Sequence, residues 1–318
     1  MFAVQFDRFG PPEVLSVGPF PEPHAGPGEV RVRVEAAGIS PVDLALRAGG
    51  SPSSEKIALP HIPGVDAAGV VDEVGPGVTG VAVGDEVFGA VDVARLGGAS
   101  AEFAVLAFWT AKPSSMSWEE AGAGGTSIET ATRALDLLGV REGTTLLIDG
   151  AAGGVGGVAV QLAIARGARV IGTGGPESQD FISRLAAIPV PYGPGLPERV
   201  RALHDGRVGL ALDVAGAGSL PELIAITGSA ASVVTIADFT GPGLGVRLSL
   251  GDFGGEPNGR HGLAVAAALS EEGRFRLPLR EVFPMAEAAR AHALAARGPR
   301  QGKIALTAPH VLTTTALA

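Results

Sequence analysis

Glycines at 150, 153 and 156 punctuate the run LLIDGAAGGVGG (146 to 157), and that spacing suits one chemistry, the holding of a phosphate. Glycine lets the chain turn sharply, lets backbone N–H groups approach an anion, and lets a following helix pack close to the preceding strand. A helix starting at the turn aims its N-terminus at the same anion. The pattern is G-x-x-G-x-x-G rather than the strict G-x-G-x-x-G of dinucleotide folds, so its context has to support it. Gly150, Ala151, Gly153, Gly154, Val155 and Gly156 are the expected cofactor contacts at the turn. About twenty residues past such a turn, NAD-binding chains place an acid on the ribose 2′-hydroxyl. Here the chain reads Ile171-Gly172-Thr173-Gly174, and without a carboxylate to repel a 2′-phosphate the expectation is NADPH over NADH. Asp149, just before the turn, is expected to point away from the anion and cap a neighbour.

Other chemistries are excluded by residue type. The chain has no cysteine, which removes disulfides, iron–sulfur clusters, thiolate zinc sites and a cysteine nucleophile. The six histidines show no helical pairing of the kind that holds a metal, so the expectation is no metal site. A formal charge of −9 argues against nucleic acid as a partner. No apolar run reaches membrane-spanning length and the N-terminus lacks a signal-like pattern, so a soluble cytoplasmic protein acting on a small molecule is expected.

The elements that must position the turn are legible on either side of it. Thr144 to Ile148 reads as a buried strand, Val155 to Arg166 as a helix with apolar Val155, Val158, Leu162 and Ala165, and Ala168 to Thr173 as a second strand. That is a βαβ unit. Strands at Gly209 to Val214 and Ala231 to Ile236, with a helix opened by Ser219 between them, extend it into a parallel doubly wound sheet. Upstream, Val30, Val32, Val34 and Ala36 alternate with polar residues, and short strands recur at Gly69 to Val74, Asp85 to Gly89 and Ala101 to Leu106. Ser117 with Glu120 is a capping-box candidate, and a second helix runs from about Ile128 to Leu138. Near the C-terminus a helix is expected from Met285 to Arg297, ending at Gly298. A last strand, Gly302 to Thr307, and a loosely held tail, PHVLTTTALA, follow it.

In this order, AAGISPVDLALRAG (36 to 49), PGVDAAGVVDEVGPGVTGVAVGDEVFG (63 to 89), GGASAEF (97 to 103), GAAGGVGGVAVQLA (150 to 163) and GKIALT (302 to 307) give the chain its resemblance. It resembles the medium-chain dehydrogenase/reductase superfamily, in its zinc-free quinone oxidoreductase branch. The resemblance implies an α/β protein. A GroES-like β-barrel catalytic domain would span 1–115, completed by about 280–318, and a Rossmann NADP(H)-binding domain 116–279. Where zinc-dependent relatives carry a cysteine, a histidine and a glutamate, this chain has Ser40, Val65 and Asp66. A serine and a valine do not build a zinc site. Without Lewis acidity the chemistry favours hydride donation to an acceptor that is already electrophilic, a quinone or an enone.

The resemblance also assigns roles. Thr130 matches a residue lying against the nicotinamide. Tyr192, the only tyrosine, stands where NADPH-binding relatives place one, although Pro176 replaces their lysine. Thr173, Gly174, Ile236, Phe239 and Lys303 complete the expected cofactor contacts. No tyrosine stands in the barrel to protonate an acceptor, and the catalytic candidates are Ser40, Ser51, His61 and Thr130. Asp43 and Arg47 are expected to cap a helix and to form a buried ion pair. A homodimer is the candidate assembly. The alternative activity is a non-redox biosynthetic catalyst or a nucleotide-responsive binding protein on the same fold.

Overall fold

The computed structural model describes residues 1–203, 207–297 and 301–308. The expected terminal Gly298 and the tail from Pro309 lie outside them. The chain divides into two units. One is built from Met1–Thr126, the chain from Leu263 to the helix Ala288–Ala295, and the strand Lys303–Thr307; the other is Ser127–Gly262 with a short return before Lys303. The sequence reading drew these borders at 115 and 279. Packing moves them to 126 and 262, because the helix Trp118–Gly122 lies on the strands Val30–Ile39 and Asp66–Val74, and the helix Gly262–Glu271 is anchored through Ser270 to Ser115.

The first unit carries a seven-stranded sheet. Its path runs Leu279–Pro284, Lys303–Thr307, Val30–Ile39, Asp66–Val74, Glu86–Ala90 and Phe108–Ala111, with Phe103–Leu106 also paired to Val30–Ile39. Val30–Ile39 is long and mostly buried, and Val30, Val32, Val34, Ala37 and Ile39 pack with Val65, Val71, Val87, Leu106 and Leu306. Register decides what meets at its end. Ile304 pairs with Ile39 on one side and Asp66 pairs with Gly38 on the other, so Lys303, Ser40 and Asp66 converge where the central strand stops.

The second unit is a six-stranded sheet in the order Ile188–Pro191, Arg169–Gly174, Thr145–Asp149, Leu210–Asp213, Val233–Thr235 and Arg247–Leu248, every pair parallel. By chain position the order is third, second, first, fourth, fifth, sixth. This is the doubly wound arrangement in which the order reverses beside the first strand, and ligands lie beyond the C-terminal ends of strands at that switch point. The helix Gly154–Ala165 is apolar on all sides and mostly buried, as a helix covering a parallel sheet should be. The strand Leu279–Pro284 and the two-residue Arg247–Leu248 were not foreseen. The stretch expected as one helix from Met285 is a single 3₁₀ turn, Met285–Glu287, leading into Ala288–Ala295.

Candidate active site

The end of Val30–Ile39 holds a buried polar cluster. Ser40 N-caps the helix Pro41–Ala48 in extended backbone, with Pro41 at its first position, where the missing N–H is harmless. Asp43 returns the contact: its Oδ2 accepts from Ser40 N at 2.8 Å and its Oδ1 from Gly64 N at 3.1 Å. Lys303 Nζ donates to Ser40 Oγ at 2.8 Å and to Asp66 Oδ2 at 3.3 Å. Asp66 also accepts from Thr126 N at 2.6 Å and Thr126 Oγ1 at 2.9 Å. Lys303 is 6% exposed and Asp66 fully buried, so this ion pair is held in a dry interior. Burial pushes the Asp43 carboxyl up to about 7, against the pull of the two N–H donors.

Sequence reasoning named Ser40 and Lys303 separately, Lys303 as a cofactor contact; the structure brings its ammonium to Ser40. Asp66 was read only as a failed zinc ligand and Thr126 was not read at all. A carboxylate embedded in the apolar run PGVDAAG was the available signal, because a buried charge needs a partner.

The other first-unit candidates have local partners. Ser51 Oγ accepts from Ser53 N at 3.2 Å. His61 lies in a β-bridge to Phe6, sets its ring edge-on to the Phe6 ring, and places Nε2 3.1 Å from Leu96 O; burial lowers its pKa. Arg47, expected in an ion pair, has no hydrogen-bond partner for Nε and Nη1. The sequence could not show this, because the titratable groups that packing brings near it, Glu13 and His292, are far away along the chain. The His292 imidazole is pushed down to about 3 by burial and by the Arg47 charge, and so stays neutral.

The second unit presents the glycine turn. Gly150 sits at φ +87°, a conformation that side chains other than glycine rarely adopt. A Cβ on Gly156 would lie 2.1 Å from Gly150 O, so this glycine lets the helix press against the turn. A Cβ on Gly153 would meet only Gly150 O, at 3.4 Å. Gly153 is the N-cap of Gly154–Ala165 and provides no side-chain cap, so the first-turn N–H groups of Gly154, Val155 and Gly156 are left for a ligand. A dinucleotide pyrophosphate fits this cradle.

Thr173 braces the turn from within. Fully buried, its Oγ1 accepts from Gly150 N at 2.9 Å and donates to Asp149, whose other oxygen accepts from Ser219 Oγ. Asp149 thus bonds its neighbours' hydroxyls. Ala151 N bonds Thr173 O at 3.0 Å, and Gly174 ends the strand. Beyond it, the Glu177 carboxylate lies against the Gly175 backbone, an acid the sequence reading did not weigh. Tyr192 and Phe239 are exposed, at 62% and 70%, as side chains free to meet a ligand would be. Ile236 is half-buried and bonded through its N–H to Asp213 O. Thr130 Oγ1 donates to Glu129 Oε2 at 3.1 Å, and Arg133 ties Glu129 to Ser249 and, through Ser249, to Glu256.

Residues 26–123 match the alcohol dehydrogenase GroES-like domain, and 196–306 match the zinc-binding dehydrogenase family. A quinone oxidoreductase of Pseudomonas aeruginosa is 32% identical over 320 residues, covering 92% of this chain and 96% of that protein. The chain belongs to the medium-chain dehydrogenase/reductase superfamily. Rat quinone oxidoreductase is 39% identical over 185 residues, 56% of this chain; the match spans 54% of the rat protein, about half its length. The structure of the quinone oxidoreductase from Coxiella burnetii superposes with a TM-score of 0.82 at 26% identity, covering 96% of this chain and 99% of that one. The zinc in that family description does not fit the residues present. Ser40 and Asp66 both bind an ammonium, the chain has no cysteine, and among the described residues no three His, Asp or Glu side chains gather as a metal site would need.

Proposed function

We propose that this medium-chain dehydrogenase/reductase is a metal-independent, nicotinamide-dependent reductase of a quinone or another activated C=C small molecule, with NADPH preferred. The observation that carries the proposal is the open cradle at Gly153, an uncapped helix N-terminus at the switch point of the doubly wound sheet. The quinone oxidoreductases of Pseudomonas and Coxiella support the acceptor class. When bound, a reduced nicotinamide supplies a hydride. The chain's own contribution is to bind and orient the dinucleotide through the Gly150–Gly156 backbone, and to offer a hydroxyl for protonation of the reduced acceptor. Ser40 or Thr130 fills that last role, with Ser51 and His61 held by local contacts at the side. Alignment of the reactants supplies much of such a rate, and general acid catalysis typically adds about 10²–10⁴-fold.

The preference for NADPH rests on the uncharged strand end at Thr173-Gly174 and on the exposed Tyr192. One observation favours a second reading, NADH: Glu177 stands next to Gly175, where a carboxylate can accept from a ribose 2′-hydroxyl. Fluorescence titration with both dinucleotides decides between them. Tighter NADPH binding, weakened selectively by Tyr192→Phe, supports the first reading. Equal or tighter NADH binding that is lost in Glu177→Gln replaces it with the second.

A further inference from the structure

We propose that Lys303 is a positioning residue that makes Ser40 the proton donor to the reduced acceptor. The inference rests on the reductase reading above and adds the identity of the proton source. Lys303 Nζ donates to Ser40 Oγ at 2.8 Å, so one lone pair of the hydroxyl is held by an ammonium. An ammonium has only donors to offer, and Ser40 must therefore direct its own hydrogen elsewhere. Within the cluster the only acceptor for it is Asp66 Oδ2 at 3.4 Å, well beyond an ordinary O–H···O distance. Asp66 is meanwhile occupied by the N–H and hydroxyl of Thr126 at 2.6 and 2.9 Å and by Lys303 at 3.3 Å. The Ser40 proton is thus loosely held on an oxygen that an adjacent cation polarises towards giving it up.

The step balances. An enone that has accepted a hydride at its β-carbon is an enolate, and the new C–H bond has used both electrons of that hydride. The enolate takes the Ser40 Oγ proton while Lys303 Nζ passes one of its own to Ser40 Oγ, leaving a neutral amine. Serine is unchanged at the end of the cycle, and the buried amine regains its proton back through the Ser40 hydroxyl, from water that replaces the departed product.

Steady-state turnover of an enone and of a quinone is compared for the unaltered protein, Ser40→Ala, Lys303→Met, Lys303→Arg and the double variant Asp66→Asn/Lys303→Met. The double variant removes both members of the buried ion pair and guards against misfolding; each protein's thermal midpoint and NADPH dissociation constant are recorded. The expected result is a fall in enone kcat of about 10²-fold in Ser40→Ala, in Lys303→Met and in the double variant. KM and NADPH binding should be unchanged, and Lys303→Arg should restore part of the loss. Quinone turnover should fall only a few-fold, because water readily protonates the reduced oxygens. Unchanged enone kcat in a folded Lys303→Met or double variant, or equal losses on both acceptors, overturns the proposal. So does NADPH binding weakened in step with turnover, which makes Lys303 a cofactor ligand. If the unaltered protein reduces neither acceptor, the reductase reading itself fails, and this inference with it.

Discussion

Asp43 accepts two backbone N–H bonds at full burial, and the two circumstances pull its proton affinity in opposite directions. Burial prevails and holds the carboxyl at about 7, whereas an unfolded aspartate titrates near 3.9. Between these values the folded protein keeps a proton that the unfolded chain has released. Asp43 therefore contributes stability that is complete below about pH 4 and is lost as pH rises through about 7. Urea unfolding of the unaltered protein and Asp43→Asn at a series of pH values should show the difference in unfolding free energy shifting against aspartate across that window. A difference constant with pH, or one moving in aspartate's favour, contradicts this assignment. Ser40 and Asp43 were legible as a capped helix start because they are three residues apart in sequence. The Lys303–Asp66 pair was not, because 237 residues separate them and only the register of two strand pairings brings them together.

The glycine turn shows how one motif divides its labour among positions. Gly156→Ala would set a Cβ 2.1 Å from Gly150 O, a backbone atom that cannot move without opening the turn. Gly153→Ala would meet only an ordinary contact at 3.4 Å, yet places a methyl where a pyrophosphate would lie. Gly153→Ala should accordingly leave the thermal midpoint near that of the unaltered protein while weakening both NADPH and NADH. Gly156→Ala should lower the midpoint first, by an unfolding free energy of about 1–3 kcal/mol or more, as overpacking typically costs. Equal midpoints, with cofactor binding lost only in Gly156→Ala, would reverse the assignment. Around this turn the strands and the helix were legible to within a residue or so, because apolar runs between turn signals are local information. Arg247–Leu248, two residues long, leaves no periodicity to read, and Leu279–Pro284 is a sheet edge whose pairing with Lys303–Thr307 is decided by packing.

At the level of the molecule, the order of segments carried the fold. The five motifs run in the sequence that the superfamily requires, and both sheets follow. Unit borders were less legible, since Trp118–Gly122 and Gly262–Glu271 read as generic helices and only their packing assigns them. Among the described residues no helix is long and apolar enough to cross a membrane. The proposed reaction class rests on two independent features: a backbone cradle suited to a dinucleotide in one unit, and an ammonium–serine–carboxylate cluster unsuited to zinc in the other. The most direct test mixes the purified protein, in the presence of a strong chelator, with p-benzoquinone and NADPH either unlabelled or deuterated at C4. The account predicts protein-dependent loss of nicotinamide absorbance, slowed by the transferred deuterium in single turnover and indifferent to the chelator. Tight NADPH binding without oxidation by any quinone or enone, or activity abolished by chelation and restored by zinc, would contradict it.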